Sequence, residues 1–460
     1  MTKPSGRLVL CAMIAILPYM SPPAGAQTDT VSVERRIAGL AYVWQEANYN
    51  FAFFQLRPGL DWDLEFEMSI GRVMATRSDQ DYIREVQRFV ALLGEAHTNV
   101  EPGRAFRERH GGHPALELEE IQRKPVVVNS SRDLAVAIPI GSVITHVDGV
   151  PVAERLERDV FPYMSASTEQ YLWRQSIRGH AWRAVGLLVG NVGSAVRLEI
   201  ETPDDVKREV TVERLKPGAE IQWQNPPRIT APPLEFRELG NGVLYFALNT
   251  FNTPDVVTAF ETHLADIDGA SAVILDIRNN GGGNSSHGWN IGRYFSETPL
   301  EGSHWRTRRH VAAYKAWGKF SDKPDRKLHY EMNAWYEPEE FTVVDVPDRT
   351  FDVPLVILMG PSTYSAAEDF LAYMRAVPDV VFVGGRSAGS TGQPLTFPIP
   401  GGAWVGITSK HDTMSDGTEF VGVGVEPDIE VWQTIEAFRT GKDLVLDRAL
   451  AALSDNTQSR

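Results

Sequence analysis

Ser365, in the stretch "GPSTYSAAEDF", is a hydroxyl that could attack a carbonyl if a neighbouring base took its proton. It follows an apolar run, Leu355 to Gly360, that reads as a strand buried on both faces. Helical spacing begins directly after it. Two readings fit. Ser365-Ala366-Ala367-Glu368 matches a capping box, with the hydroxyl accepting the third amide and the glutamate reaching back. The same serine would also stand at a strand's carboxyl end, where open α/β sheets gather their sites and where a helix N-terminus offers free amides to an oxyanion.

A second buried run, Ala272 to Asp276, leads into Arg278-Asn279-Asn280 and the glycines 281–283. Glycine lets backbone amides face a cleft with no side chain in the way, as an oxyanion hole requires. A plain flexible turn and a phosphate cradle are the alternatives, but the lysine of a nucleotide-binding loop is missing. Among the bases, His97 in "LGEAHTNVEPG" is either a loop cap or a proton acceptor, histidine titrating near working pH. Lys410 and His411, in "ITSKHDT", are further candidates and are expected to face solvent. The eleven histidines form no HExxH, and His110 and His113 in "RHGGHP" have no carboxylate beside them. No metal or other cofactor is expected.

The elements that must position these groups fall into segments. From about Val33 to Leu93 the periodicity is helical, with Ile83, Val86, Phe89 and Val90 on one face, so residues 27–113 read as a helical domain. Residues 114–215 change to short strands: "KPVVVN", "DLAVAI", "SVITHVDGVPV", "AVRLEIET" and "KREVTVER". Paired prolines make 216–233 a stiff connector. Residues 234–460 alternate strands with helices, including a helix from Val256 to Ile267 and one near Trp289, which predicts an α/β layer domain. The aromatic, charged insertion at 300–348 has no reading.

Taken together these stretches resemble the C-terminal processing (tail-specific) serine peptidase family. Asp276-Ile277-Arg278-Asn279-Asn280-Gly281-Gly282-Gly283 is similar to its glycine signature, and Ser362 to Glu368 to its nucleophile motif. "VGGRSAG" and "GVGVEPDIEV" resemble the segments that follow, and "IPIGSVITHVDGVPVAERLE" resembles part of a PDZ domain. The resemblance implies a multidomain α/β protein, with a crotonase-like spiral core, a PDZ-like module and the N-terminal helical domain. It implies Ser365 as nucleophile, and the amides of Ala366 and of the glycine loop, Gly282 and Gly283, as oxyanion donors. The serine-lysine branch has a lysine where this chain has Ser390. The tricorn-like branch uses a histidine and a late glutamate, which implies His97 and Glu419, although Ala96 stands where that branch carries a serine. The implied activity is hydrolysis of polypeptides through an acyl-enzyme, with the PDZ-like module holding an extended chain or chain end. The alternative is an inactive binding protein for an apolar ligand or peptide on the same fold.

At the level of the whole chain, 460 residues with 43% apolar composition suit several packed units. A net charge of −15 argues against nucleic acid and anionic membranes as partners. Residues 1–26 combine Lys3 and Arg7, the apolar stretch "LVLCAMIAILPYM" and a small-residue ending at Ala26, the pattern of a cleaved secretory leader. A periplasmic or secreted product follows, with no stable membrane insertion once the leader is gone. The only cysteine, Cys11, lies in that leader, so no disulfide is expected.

Overall fold

The computed structural model describes residues 30–180 and 182–459, so the expected leader and Cys11 lie outside the described residues. Its centre is a six-stranded sheet in the order Ile429–Glu430, Val381–Gly384, Leu355–Met359, Ala272–Asp276, Val243–Leu248 and Leu234–Glu238. All neighbours are parallel except the last pair. Ala272–Asp276 and Leu355–Met359 are buried at every residue, because helices cover both faces and leave no polar side to alternate with. Alternate residues serve the two layers. Val273, Leu275 and Ile357 pack with Phe370 of the helix Ala366–Met374, whereas Ile274 and Leu358 meet the C-terminal helix Leu444–Ser459.

The N-terminal helices Val33–Asn50, Trp62–Ala75 and Asp79–Ala91 form where periodicity predicts them. They have no separate core, since Leu40, Val86 and Phe89 join the apolar cluster of the sheet. The β-rich segment does have its own core. Its antiparallel sheet runs Leu116–Ile121, Lys124–Ser130, Val143–Val147, Ala195–Glu201, Lys207–Glu213. Asp148 and Gly149 both take positive φ, as a tight Asp-Gly hairpin requires.

Two expected elements differ. "DLAVAI" is a run of helical turns rather than a strand: Ile138 N bonds Leu134 O at 2.8 Å and Val136 is 84% exposed, so the alternation that suggested a strand does not divide inside from outside. The helix expected from Val256 to Ile267 is interrupted at His263, whose ring stacks on Phe236, leaving Asp255–Glu261 and Leu264–Ile267.

A three-stranded sheet makes the connection that matters most for the site. Asn99–Glu101 pairs with Ala403–Thr408, which pairs with Pro394–Ile399. This carries the loop at His97, at the end of the helical segment, onto the core. The insertion folds back too: His304–Arg308 lies between Trp335–Tyr336 and Lys410–Thr413.

Candidate active site

Ser365 ends the turn after Leu355–Met359 and starts the helix Ala366–Met374. Its backbone sits at φ 60°, ψ −128°, a conformation that costs a non-glycine residue on the order of 1–3 kcal/mol and is held only by its surroundings. The capping-box reading fails in its details. The Ser365 hydroxyl makes no cap bond. Glu368 does not reach back to it; its carboxylate accepts Ser387 Oγ at 2.5 Å, Gly389 N at 2.7 Å and Ser390 N at 2.8 Å. Ser365 N donates instead to Ser390 O. The strained turn points the hydroxyl away from its own helix, and Glu368 ties the 387–390 loop to that helix. Burial pushes the Glu368 carboxyl up to about 8, against the pull of those three donors.

What the hydroxyl meets is His97. Nε2 lies 2.9 Å from Ser365 Oγ, and Nδ1 lies 2.7 Å from Ser390 Oγ. Ser390 Oγ in turn donates to Glu95 Oε1, which is 3.6 Å from Nδ1. Glu95 is 1% exposed, and its other oxygen accepts the amides of His97 and Thr98 and the Thr408 hydroxyl. Burial alone would raise its pKa; the bonds and charge of His97, with the hydroxyls of Ser390 and Thr408, hold it below the ordinary value. Glu95 is therefore an anion placed to fix the tautomer of His97 and to steady its charged form.

Glu419, the carboxylate expected for that task, is elsewhere. It is half exposed and bonds His411 Nε2 at 2.6 Å, because the turn through Gly417 folds it back onto Lys410–Thr413. His411 is buried against Phe53 and Trp335, not solvent-facing. Lys410 is only about a quarter exposed and pairs with Asp412 at 2.8 Å. Burial would depress its pKa, but Asp412 and Asp369 outweigh it and raise it, the opposite of what a lysine base needs.

The glycine loop stands against the serine. A Cβ on Gly282 would come within 2.6 Å of Ser365 Cβ and 2.8 Å of Ala366 N, so only glycine fits there. Its own amide, however, donates to Asn280 Oδ1 at 2.9 Å. The amides of Ala366 and Gly283 have no acceptor among the described residues, which leaves them, and not Gly282, available to an oxyanion.

Sequence reasoning missed Glu95, the role of Ser390, and a buttress from the β-rich segment. The Tyr364 ring stacks on His97 (4.4 Å between centroids, 12° between planes), and Tyr171 stacks on Tyr364 (5.2 Å, 17°). From the same stretch Thr168 bonds Ala388 O, Gln170 bonds Ser387 O, Ser167 accepts Ala96 N and Arg183 bonds Ala96 O. Both loops that carry the histidine relay are thus pinned by residues 167–183. The carboxylate two residues before His97 was the available signal for Glu95.

The chain matches the model of peptidase family S41 over residues 242–431. It is a serine-type peptidase. No curated protein matches the chain. Among solved structures it is similar to mature CPAF in complex with lactacystin, at 15% identity and a TM-score of 0.67, covering 92% of this chain and 99% of that one. It is also similar to a candidate peptidase from Parabacteroides merdae, at 18% identity and a TM-score of 0.52, covering 92% and 97%. At these identities the likeness is one of fold.

Proposed function

We propose that the chain hydrolyses polypeptides through an acyl-enzyme on Ser365. The observation that carries this is the continuous relay Ser365 Oγ, His97, Ser390, Glu95. His97 Nε2 takes the serine proton as Oγ bonds the scissile carbonyl carbon. The Ala366 and Gly283 amides receive the oxyanion, and His97 returns the proton to the leaving amine. Water then repeats the sequence on the ester. A histidine base rather than a lysine supports the tricorn-like branch. The hydrogen-bonded serine and histidine favour a peptidase over the binding-protein reading.

The substrate is an extended chain, and the β-rich module acts as the PDZ-like part that holds it. A cavity of about 790 Å³ supports this: it lies between Glu117, Ile121 and Arg174 on the module side and Asn279, Pro361 and Trp432 at the strand ends of the core. The leader-like residues 1–26 support export to the periplasm or outside.

The test is covalent labelling. A fluorophosphonate, or lactacystin as bound by mature CPAF, is expected to add one mass equivalent to the peptide containing Ser365 and none to Ser365→Ala. Absence of label on a folded protein that also cleaves no peptide would overturn the reading.

A further inference from the structure

The insertion without a sequence reading contains a helical hairpin, Ala312–Gly318 and Pro324–Tyr330, joined by a turn that carries Phe320. From Arg309 to Tyr330 six Lys and Arg stand against two Asp, in a chain whose net charge is −15. The acidic balance that argues against anionic surfaces is therefore reversed locally. Lys319 and Lys323 are exposed and form no ion pair among the described residues. Apolar groups sit among these cations: Phe320 is 84% exposed, Trp317 50%, Tyr330 46% and Leu328 39%. Lys319 lies over the Phe320 ring and Arg326 over that of Trp317.

We propose that this hairpin docks the peptidase on an anionic lipid surface, with Phe320 and Trp317 entering the headgroup boundary and Lys319 and Lys323 meeting the headgroups, while Lys327 is paired with Glu331. The shape and size of the patch favour lipid over a second copy of the chain. With a large aromatic side chain offering about 150–250 Å², the four exposed apolar residues present roughly 400 Å². That is the size, about 300–600 Å², of the largest apolar patch on a typical monomer, often a functional one, and about half of the ~800 Å² per partner that a stable dimer buries. The most exposed ring projects from a turn, as a wedge does, instead of lining a groove. Aromatic and basic residues on one short element gain both apolar burial and electrostatic attraction at a lipid interface. No described helix is long and apolar enough to cross a membrane, so the contact is peripheral.

Co-sedimentation of the full chain with vesicles of about one part phosphatidylglycerol to three parts phosphatidylcholine tests this. Binding is expected to weaken at least about tenfold for pure phosphatidylcholine and for the pair Lys319→Glu and Lys323→Glu, and about tenfold for Phe320→Ala. Raised salt should weaken it as well. Cleavage of a small soluble peptide should be unchanged in every variant, since none of these residues borders Ser365 or His97. Equal binding to neutral vesicles, or undiminished binding by the variants, overturns the proposal. So does self-association without vesicles that Phe320→Ala abolishes, which would assign the patch to a second copy.

Discussion

Replacing Glu95 by glutamine tests the relay where sequence and structure differ most. Glu95 Oε1 lies 3.6 Å from His97 Nδ1 with Ser390 Oγ between them. As His97 gains the serine proton it becomes an imidazolium facing that carboxylate. At an effective dielectric of about 20 and this separation, the attraction is on the order of 4–5 kcal/mol, or roughly 10³–10⁴ in rate. The tautomer adds to the loss. A glutamine amide would donate to Ser390, Ser390 would then donate to Nδ1, and Nε2 would carry a hydrogen where it must accept one. The assay is kcat/KM on a fluorogenic peptide together with the rate of fluorophosphonate acylation, on protein whose melting temperature has been measured. Ser390→Ala, which leaves the charge but removes the bridge, is expected to lose less, about 10–100-fold. The stability readout carries a sign. Because the folded pKa of Glu95 is lowered, its ionised form contributes stability above the ordinary carboxylate range that is lost as pH falls through the folded value, so the melting gap to Glu95→Gln should shrink on acidification. A folded Glu95→Gln within tenfold of the parent would refute the relay.

Glu419→Gln is expected to stay within a few-fold of the parent in kcat/KM, its carboxylate serving His411; a loss of a hundredfold would return the orienting role to it. Ser365→Gly should be inactive yet melt higher, because relief of the φ 60° strain, about 1–3 kcal/mol, exceeds the entropic cost of glycine; a lower melting temperature would mean the turn is unstrained. Tyr171→Ala should cut kcat with little change in KM for a short peptide and be restored by Tyr171→Phe, since ring stacking and not the hydroxyl holds Tyr364 and His97. Burial raises Glu368 to about 8, so wild-type stability should fall as pH rises from the ordinary carboxylate range toward 8; Glu368→Gln should abolish that slope in chemical denaturation.

The sequence alone determined the parts whose signals are local. Runs such as "AVILD" and "LVILM" are short and apolar without alternation, which suits a strand covered on both faces, and both became central strands. Their endings, a glycine loop and a serine before a helix, marked the cleft. His97 taken alone read as a loop cap as readily as a base, and only the resemblance of its loop to that of the tricorn-like branch singled it out. Tertiary structure decided the partners. Glu95 and Ser390 are 295 residues apart and meet only because Asn99–Glu101 pairs with Ala403–Thr408; nothing in either local stretch specifies that register. Glu419 was displaced by a single turn, and the amide of Gly282 by an asparagine side chain two residues away. The Tyr171 buttress depends on how one module packs against another. Periodicity reports which face of an element is buried, whereas a catalytic relay depends on which buried faces are brought together, and that is set by packing across the whole chain.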